Sequence, residues 1–375
     1  MSDKQKKAGG LAGVVAGKTA IATVGKEGAG LTYRGYDITD LADKGSFEET
    51  AYLLHYGKLP TGAELKAYIK RLKGLRGLPD ELKTLLEAIP ATAHPMDVMR
   101  TGCSFLGNLE PEGGFENQLD VADRLLAVFP SIIIYWHRFH TDGLRIDTET
   151  DDDSVAGHFL HLLHDKAPSE QHRRNLDISL ILYAEHEFNA STFTARVITG
   201  TLSDMHSAVT GAIGALRGPL HGGANEAAME LINKFRSVEE AEAGVLGMLE
   251  RKDKIMGFGH RVYTVSDPRN AFNKRMSKSL SEEVGDTWMY DVSETVERVM
   301  WEQKKLFANA DFFSASAYHF MGIPTYLFTP IFVCSRITGW AAHIMEQRAD
   351  NRLIRPAADY IGPSLQKWVA REDRT

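Results

Sequence analysis

The sequence predicts an all-α protein of two domains. Three observations predict it. Segment after segment carries apolar residues at helical spacing. Period-two alternation barely appears, and Asn-Gly and Asp-Gly hairpin turns are absent apart from Asp142-Gly143. Two Gly- and Pro-rich breaks, RGPLHGGANE (217–226) and GIPTYLFTP (322–330), set off an amphipathic stretch between them. A chain of 375 residues is long enough for two domains. The expected division is a large domain over 1–221, a small domain inserted over 222–325, and a return to the large domain over 326–375.

The elements justify this in order. TVGKEGAG (23–30) fits neither GxGxxG nor a Walker A loop and reads as a plain turn. SFEETAYLLHYGKLP (46–60) has a polar start, a helical apolar pattern, and Gly57 and Pro60 to stop it. In TGAELKAYIKRLKGL (61–75), Thr61 caps, Glu64 stands where a capping box needs it, and Gly74 breaks the helix. ELKTLLEAI ends at Pro90, and HPMDVMRTGCSFLGNL (94–109) opens with Pro95 in a first turn. DVADRLLAVFPSIIIYWHRFH (120–140) has the length of one long helix with a kink expected at Pro130. In DDDSVAGHFLHLLH (151–164) the acids precede a helix start, where its dipole favours them. SVEEAEAGVLGMLERKDKI (237–255) and DVSETVERVMWEQKKLF (291–307) are the amphipathic helices of the inserted unit.

Composition excludes several classes. Lys plus Arg number 43 and Asp plus Glu 50, a net charge of −7, so nothing draws the chain to a polyanion such as nucleic acid. Two cysteines make neither a disulfide framework nor a structural zinc site. No apolar run reaches the 18 or so residues of a membrane span. The charged start MSDKQKKAGG leads into no apolar segment, so no secretory signal is expected and the cytoplasm is the expected location.

Histidines carry the chemistry. His158, His161 and His164 share a helix face, yet no carboxylate or cysteine joins them at ligand spacing, and they read as structural. AEHEFNAST resembles HExxH, but Ala190 stands where the second histidine belongs, which argues against a zinc hydrolase. His221 in GPLHGGAN and His260 in GFGHRVY sit instead between glycines, where backbone can approach a ligand closely. With Asp311, Arg269, Arg336 and Arg355 they form a set suited to proton transfer on a multiply charged carboxylate substrate.

Nine stretches carry a family pattern in order along nearly the whole chain: LTYRGYDI (31–38), YLLHYGKLP (52–60), HPMDVMRTG (94–102), TETDDDSVAGHFLHLLH (148–164), ILYAEHEFNASTFTARV (181–197), GALRGPLHGGANE (214–226), GFGHRVYTVSDPR (257–269), DFFSASAYHFMGIPTYLFTPIFVCSRITGWAAHIMEQR (311–348) and RLIRPAADYIGP (352–363). The sequence resembles the citrate synthase family, most closely its bacterial 2-methylcitrate synthase branch. The resemblance implies a helical two-domain fold with the active site in the cleft, in a homodimer or larger homo-oligomer. It implies that His221 donates to the thioester carbonyl oxygen, that Asp311 removes the proton from the adjoining carbon, and that His260 holds and protonates the oxaloacetate ketone. His186, Arg269, Arg336 and Arg355 would hold oxaloacetate, Arg355 from the partner subunit, and the backbone of Ile255, Met256, Gly257, Phe258 and Gly259 would recognise the adenine of coenzyme A. It implies ordered binding with oxaloacetate first, no metal and no permanently bound cofactor: propionyl-CoA or acetyl-CoA is a substrate and free CoA a product.

The wording of TETDDDSVAGHFLHLLH and ALRGPLHGGANE favours propionyl-CoA, with acetyl-CoA as a side activity. The alternative is a dedicated citrate synthase using acetyl-CoA. A reading from another class is a non-catalytic helical scaffold with a vestigial cleft, which release of free thiol from an acyl-CoA and oxaloacetate would exclude.

Overall fold

A computed structural model describes residues 11, 13–26 and 29–374. The chain begins with a small antiparallel sheet, β1 (Ala22–Lys26), β2 (Ala29–Tyr33) and β3 (Tyr36–Asp37), in which Val24 faces Leu31 and Thr32 faces Asp37. The plain-turn reading of 23–30 is therefore corrected: Thr23–Lys26 is strand and Ala29 starts the next, while Glu27 and Gly28 lie outside the described residues. Gly25, at φ +62°, hid this strand, because a glycine inside a five-residue strand weakens its signature.

Ten helices follow: α1 (Ile38–Lys44), α2 (Phe47–Tyr56), α3 (Gly62–Lys73), α4 (Asp80–Ala88), α5 (Pro95–Leu109), α6 (Gln118–Asp142), α7 (Val155–His164), α8 (Glu170–Tyr183), α9 (Ala190–Thr199) and α10 (Met205–Leu216). Their ends follow the capping chemistry. Thr61 and Glu64 close a reciprocal capping box on α3, as Ser46 and Glu49 do on α2, and Pro95 takes the first turn of α5. α6 runs through Pro130 as one helix, buried through its middle. On α7, His158 binds Ser131 and Thr150, and His164 binds the carbonyl of Met321, so both serve packing.

Next come α11 (Ala224–Ile232), α12 (Val238–Glu250), α13 (Asn270–Val284), α14 (Trp288–Lys304) and α15 (Ala310–Phe320). α13 packs on α15, α12 on α14 and α11 on α15, burying Val245, Leu280, Val292, Val296 and Phe313 in a hydrophobic core continuous with that of the preceding helices. The long helix α16 (Phe328–Ala349) packs against α6, α8, α9 and α10. Trp340 on α16 is fully buried there. Beyond α16 the chain is irregular apart from one 3-10 turn (Arg371–Asp373) and mostly exposed, with Ile361 and Trp368 at 94% and 88% of full exposure. Cys103 and Cys334 are buried free thiols.

Candidate active site

Interruptions between helices supply most of the candidate residues. His221 lies in the turn between α10 and α11, His186 in the loop between α8 and α9, and His260 between α12 and α13. Arg269 stands at the N-cap of α13 and Arg336 midway along α16. Asp311 is in the first turn of α15, where the Asn309 side chain accepts its amide at 3.0 Å.

Two imidazoles meet directly: the rings of His186 and His260 are edge-on at 5.2 Å. Tyr263 joins them, its hydroxyl 3.2 Å from Nε2 of His186 and its ring 4.5 Å from that of His260. Nδ1 of His260 accepts the amides of Val262 (3.1 Å) and Tyr263 (3.2 Å). A ring nitrogen that accepts is unprotonated, so the proton sits on Nε2. Burial, then the nearby Arg269 guanidinium, lowers the pKa of His260, and both press His186 well below the usual histidine range, with Arg336 adding to it. Both rings are neutral at pH 7.

Asp267 grips Arg269 through two parallel bonds, Nε to Oδ1 at 2.9 Å and Nη2 to Oδ2 at 2.8 Å. Burial works against the guanidinium, but the Asp267 carboxylate outweighs it and holds Arg269 firmly charged. Tyr183 addresses Asp311, its hydroxyl 3.3 Å from Oδ1, 2.8 Å from the carbonyl of Ala310 and 2.9 Å from Oγ of Ser314. Burial raises the Asp311 pKa, against the opposing charge of Arg269. That makes Asp311 a stronger base than an exposed carboxylate. Arg336 donates through Nε to the carbonyl of Tyr183 at 2.5 Å and lies 5.8 Å from the ring of Phe332, which packs on Tyr183.

His221 is addressed from the start of α9. The amide of Ser191 donates to its Nε2 at 3.2 Å, and Oγ of Ser191 lies 2.8 Å from the same atom. Nε2 is thus an acceptor, and the proton of the neutral ring is on Nδ1. Burial, then the Arg336 charge, pushes the His221 pKa down to about 4. Trp340 donates to Oγ of Ser191 at 3.1 Å and fixes that hydroxyl from behind.

The segment 257–259 is strapped to the residues before Asp311. Gly259 donates to the carbonyl of Phe307 (2.8 Å), Asn309 donates to that of Gly257 (2.9 Å), and Nδ2 of Asn309 donates to that of Gly259 (3.0 Å). Gly257 holds φ +88°, and a Cβ there would come 2.9 Å from the ring of Phe312. Only glycine meets both conditions. Ile255, Met256, Phe258 and Gly259 are half-buried.

Six of the seven side chains singled out from sequence fall into this linked arrangement: His186, His260, Arg269 and Asp311 directly or through Tyr263, Asp267 and Ala310, with Arg336 and His221 coupled electrostatically. Arg355 does not; it is exposed on the segment after α16. Sequence reasoning missed Tyr183, Ser191, Tyr263 and the partnership of Asp267. The available signal was a tyrosine three residues after His260 in a Gly-rich loop, since a buried tyrosine seeks a partner for its hydroxyl. Among the described residues no group of three or more His, Cys, Asp or Glu side chains is placed to hold a metal ion. Two surface cavities, of about 560 and 460 Å³, lie elsewhere, one beside Lys274 and Trp301 and one beside Asn108 and His206. Neither is lined by any of these residues.

The arrangement therefore offers one buried carboxylate base, two neutral imidazoles with defined donor atoms and two buried guanidiniums. The family profile described as "Citrate synthase, C-terminal domain" matches residues 10–357. The chain belongs to the citrate synthase family. It is 66% identical to a 2-methylcitrate synthase of Shewanella oneidensis over 375 residues, the full length of both. It is 44% identical to citrate synthase 2 of Bacillus subtilis over 369 residues, covering 97% of this chain and 98% of that one. Among solved structures, the citrate synthase of Thermotoga maritima superposes with a TM-score of 0.85 at 36% identity, covering 98% and 99% of the two chains. A ternary complex of carboxymethyl coenzyme A and oxaloacetate with the Thermoplasma acidophilum citrate synthase gives 0.89 at 31%, covering 96% and 98%. By family the protein is an acyl-CoA:oxaloacetate C-acyltransferase, with the two-domain helical fold of these relatives.

Proposed function

We propose that the protein is a 2-methylcitrate synthase, which condenses propionyl-CoA with oxaloacetate and water to give 2-methylcitrate and free CoA and turns over acetyl-CoA more slowly. The observation that carries the choice of acyl group is the full-length 66% identity to the Shewanella oneidensis 2-methylcitrate synthase. The acetyl-CoA reading draws on relatives such as citrate synthase 2 of Bacillus subtilis at 44%.

The roles follow from the chemistry of each side chain. Asp311 takes the proton from the carbon beside the thioester, its burial making it basic enough to compete for a carbon acid. The Nδ1–H of His221 meets the oxygen that becomes negative as the enolate forms; losing such a donor typically costs about 3–4 kcal/mol, or roughly 10²–10³ in rate. The Nε2–H of His260 polarises the oxaloacetate ketone and delivers its proton as the carbon–carbon bond closes. His186, Arg269 and Arg336 hold the oxaloacetate carboxylates, and the backbone of 255–259 receives the adenine of CoA. Water then cleaves the condensed thioester.

Residues 222–325 act as the small domain, closing over oxaloacetate before the thioester binds so that water enters only after condensation. The contacts that α11, α12, α13, α14 and α15 make with one another support that division. Arg355, exposed in its own chain, completes the site of a partner subunit in a homodimer or larger homo-oligomer. Among the described residues no helix is long and apolar enough to cross a membrane. We place the enzyme in the cytoplasm, acting on small anions and not on nucleic acid.

One methylene separates the two thioesters, worth about 1–3 kcal/mol in a hydrophobic pocket. The test is kcat/KM for both at saturating oxaloacetate. A propionyl-CoA value roughly tenfold or more above that for acetyl-CoA is expected; the reverse order makes the protein a citrate synthase, and no thiol release from either makes it a scaffold.

A further inference from the structure

Behind the candidate site lies a buried polar chain that none of the roles above uses. The side chains of Glu185 and His343 are both fully buried, with Oε1 and Nε2 2.8 Å apart. Arg196 reaches the other face of the same ring, its Nη1 2.9 Å from Nδ1 of His343 and 2.8 Å from Oε2 of Glu346. A guanidinium can only donate, so Nδ1 of His343 accepts, the ring proton is on Nε2, and that proton is donated to Glu185. Every direction in the chain is thus fixed: Arg196 to His343 to Glu185.

The relay grips one short segment. Glu185 is its first residue. Phe188 sits in its middle, with the Arg196 guanidinium 4.6 Å over its ring and the His343 ring edge-on at 5.6 Å. Between these grips Glu187 holds φ +52°, a left-handed conformation that costs free energy for a residue with a side chain. The segment carries His186 one residue after Glu185 and ends at Ser191, whose amide and hydroxyl address His221. Helix α16 is shaped to receive it: a Cβ at Gly339 would fall 2.2 Å from Oε2 of Glu185 and 2.5 Å from the carbonyl of Ala184. Among the described residues Oε2 of Glu185 has no hydrogen-bond partner, and Glu185 leads the groups that oppose the loss of charge on buried Arg336.

We propose that Arg196, His343 and Glu185 are positioning residues which hold the segment 185–191 in its strained form, and so set His186 for oxaloacetate and the Ser191–His221 pair for the thioester. The proposal rests on the reading of His186 and His221 as substrate-binding groups. None of the three relay residues needs to touch substrate. Glutamine is the informative replacement for His343, because its amide can donate to Glu185 while its carbonyl accepts from Arg196.

The test compares His343→Ala, His343→Gln and His186→Ala by calorimetric binding of oxaloacetate and by steady-state kinetics. His343→Ala should weaken oxaloacetate binding and raise its KM by roughly 10- to 100-fold through His186 and lower kcat through the Ser191–His221 pair, with the acyl-CoA KM, set by the CoA contacts of 255–259, changed by less than about threefold. His343→Gln should recover most of the loss. A lower kcat with both KM values and oxaloacetate affinity unchanged, the signature of a smaller active fraction, would mean a merely structural role and overturn the proposal. So would wild-type oxaloacetate binding in a folded His343→Ala protein whose His186→Ala counterpart binds weakly. Wild-type binding in His186→Ala would instead overturn the reading of His186, and the relay with it. Should the alanine variant not fold, nitrogen-15 NMR of the wild-type histidines decides: the signal missing from His343→Gln is expected to be an Nε2–H neutral ring, and an Nδ1–H or cationic ring there overturns the relay.

Discussion

Asp267 binds Arg269 with both carboxylate oxygens, and the oxygen that takes the second bond also accepts the amide of Ala310 at 3.0 Å. The side chain of Asp267 is fully buried and that of Arg269 nearly so. One carboxylate therefore aligns a guanidinium proposed for substrate and the first turn of the helix that carries Asp311.

Removing that carboxylate charge leaves Arg269 buried without its partner. Asp267→Asn should cost about 3–5 kcal/mol of stability, read by urea denaturation, and should raise the oxaloacetate KM. Stability within about 1 kcal/mol of wild type would mean that Arg269 finds another partner and that the fork is not what fixes it.

Asp311→Asn tests the base. The amide keeps the shape but accepts no proton, so kcat should fall by roughly 10²–10⁴ while oxaloacetate still binds nearly as before. Calorimetry with oxaloacetate and a thiol-release assay separate the two effects. Activity close to wild type would remove Asp311 from the proton transfer.

The pH dependence of His221 has a definite sign. Its pKa is about 4 in the folded protein against an ordinary 6.5. As pH falls from 6.5 towards 4 the unfolded chain takes up a proton that the native ring refuses, so stability from this group falls with pH and levels off below 4. Acidification from pH 7 to 5 should therefore lower the melting temperature of the wild type more than that of His221→Gln. Equal shifts would show that the ring is already charged when folded.

Much of this was legible in the sequence because local chemistry dictates it. Thr61 with Glu64 and Pro95 mark helix starts through bonds made within a few residues, and the glycines around His221 and His260 mark loops open to a ligand. The strand at Ala22–Lys26 was not legible, because five residues interrupted by Gly25 carry too little alternation. Tyr183, Ser191 and Tyr263 were hidden for another reason. Each looks like an ordinary helix or loop residue, and its role comes from a partner far along the chain: Asp311 for Tyr183, His221 for Ser191, His186 for Tyr263. His343 is the extreme case, reading as one more polar residue in an apolar helix until Glu185, 158 positions away, meets it.

The strap between 257–259 and 307–309 is written in backbone atoms, apart from the amide of Asn309. Substitution at Phe258, Phe307 or Ala308 leaves those bonds their donors and acceptors. Packing constrains these three positions instead, the ring of Phe258 lying 4.6 Å from that of Phe312 and Ala308 being buried, while the bonds that tie the loop to the helix of Asp311 do not depend on which side chains stand there. Gly257 and Asn309 have no such latitude, and across relatives they should be the letters that stay.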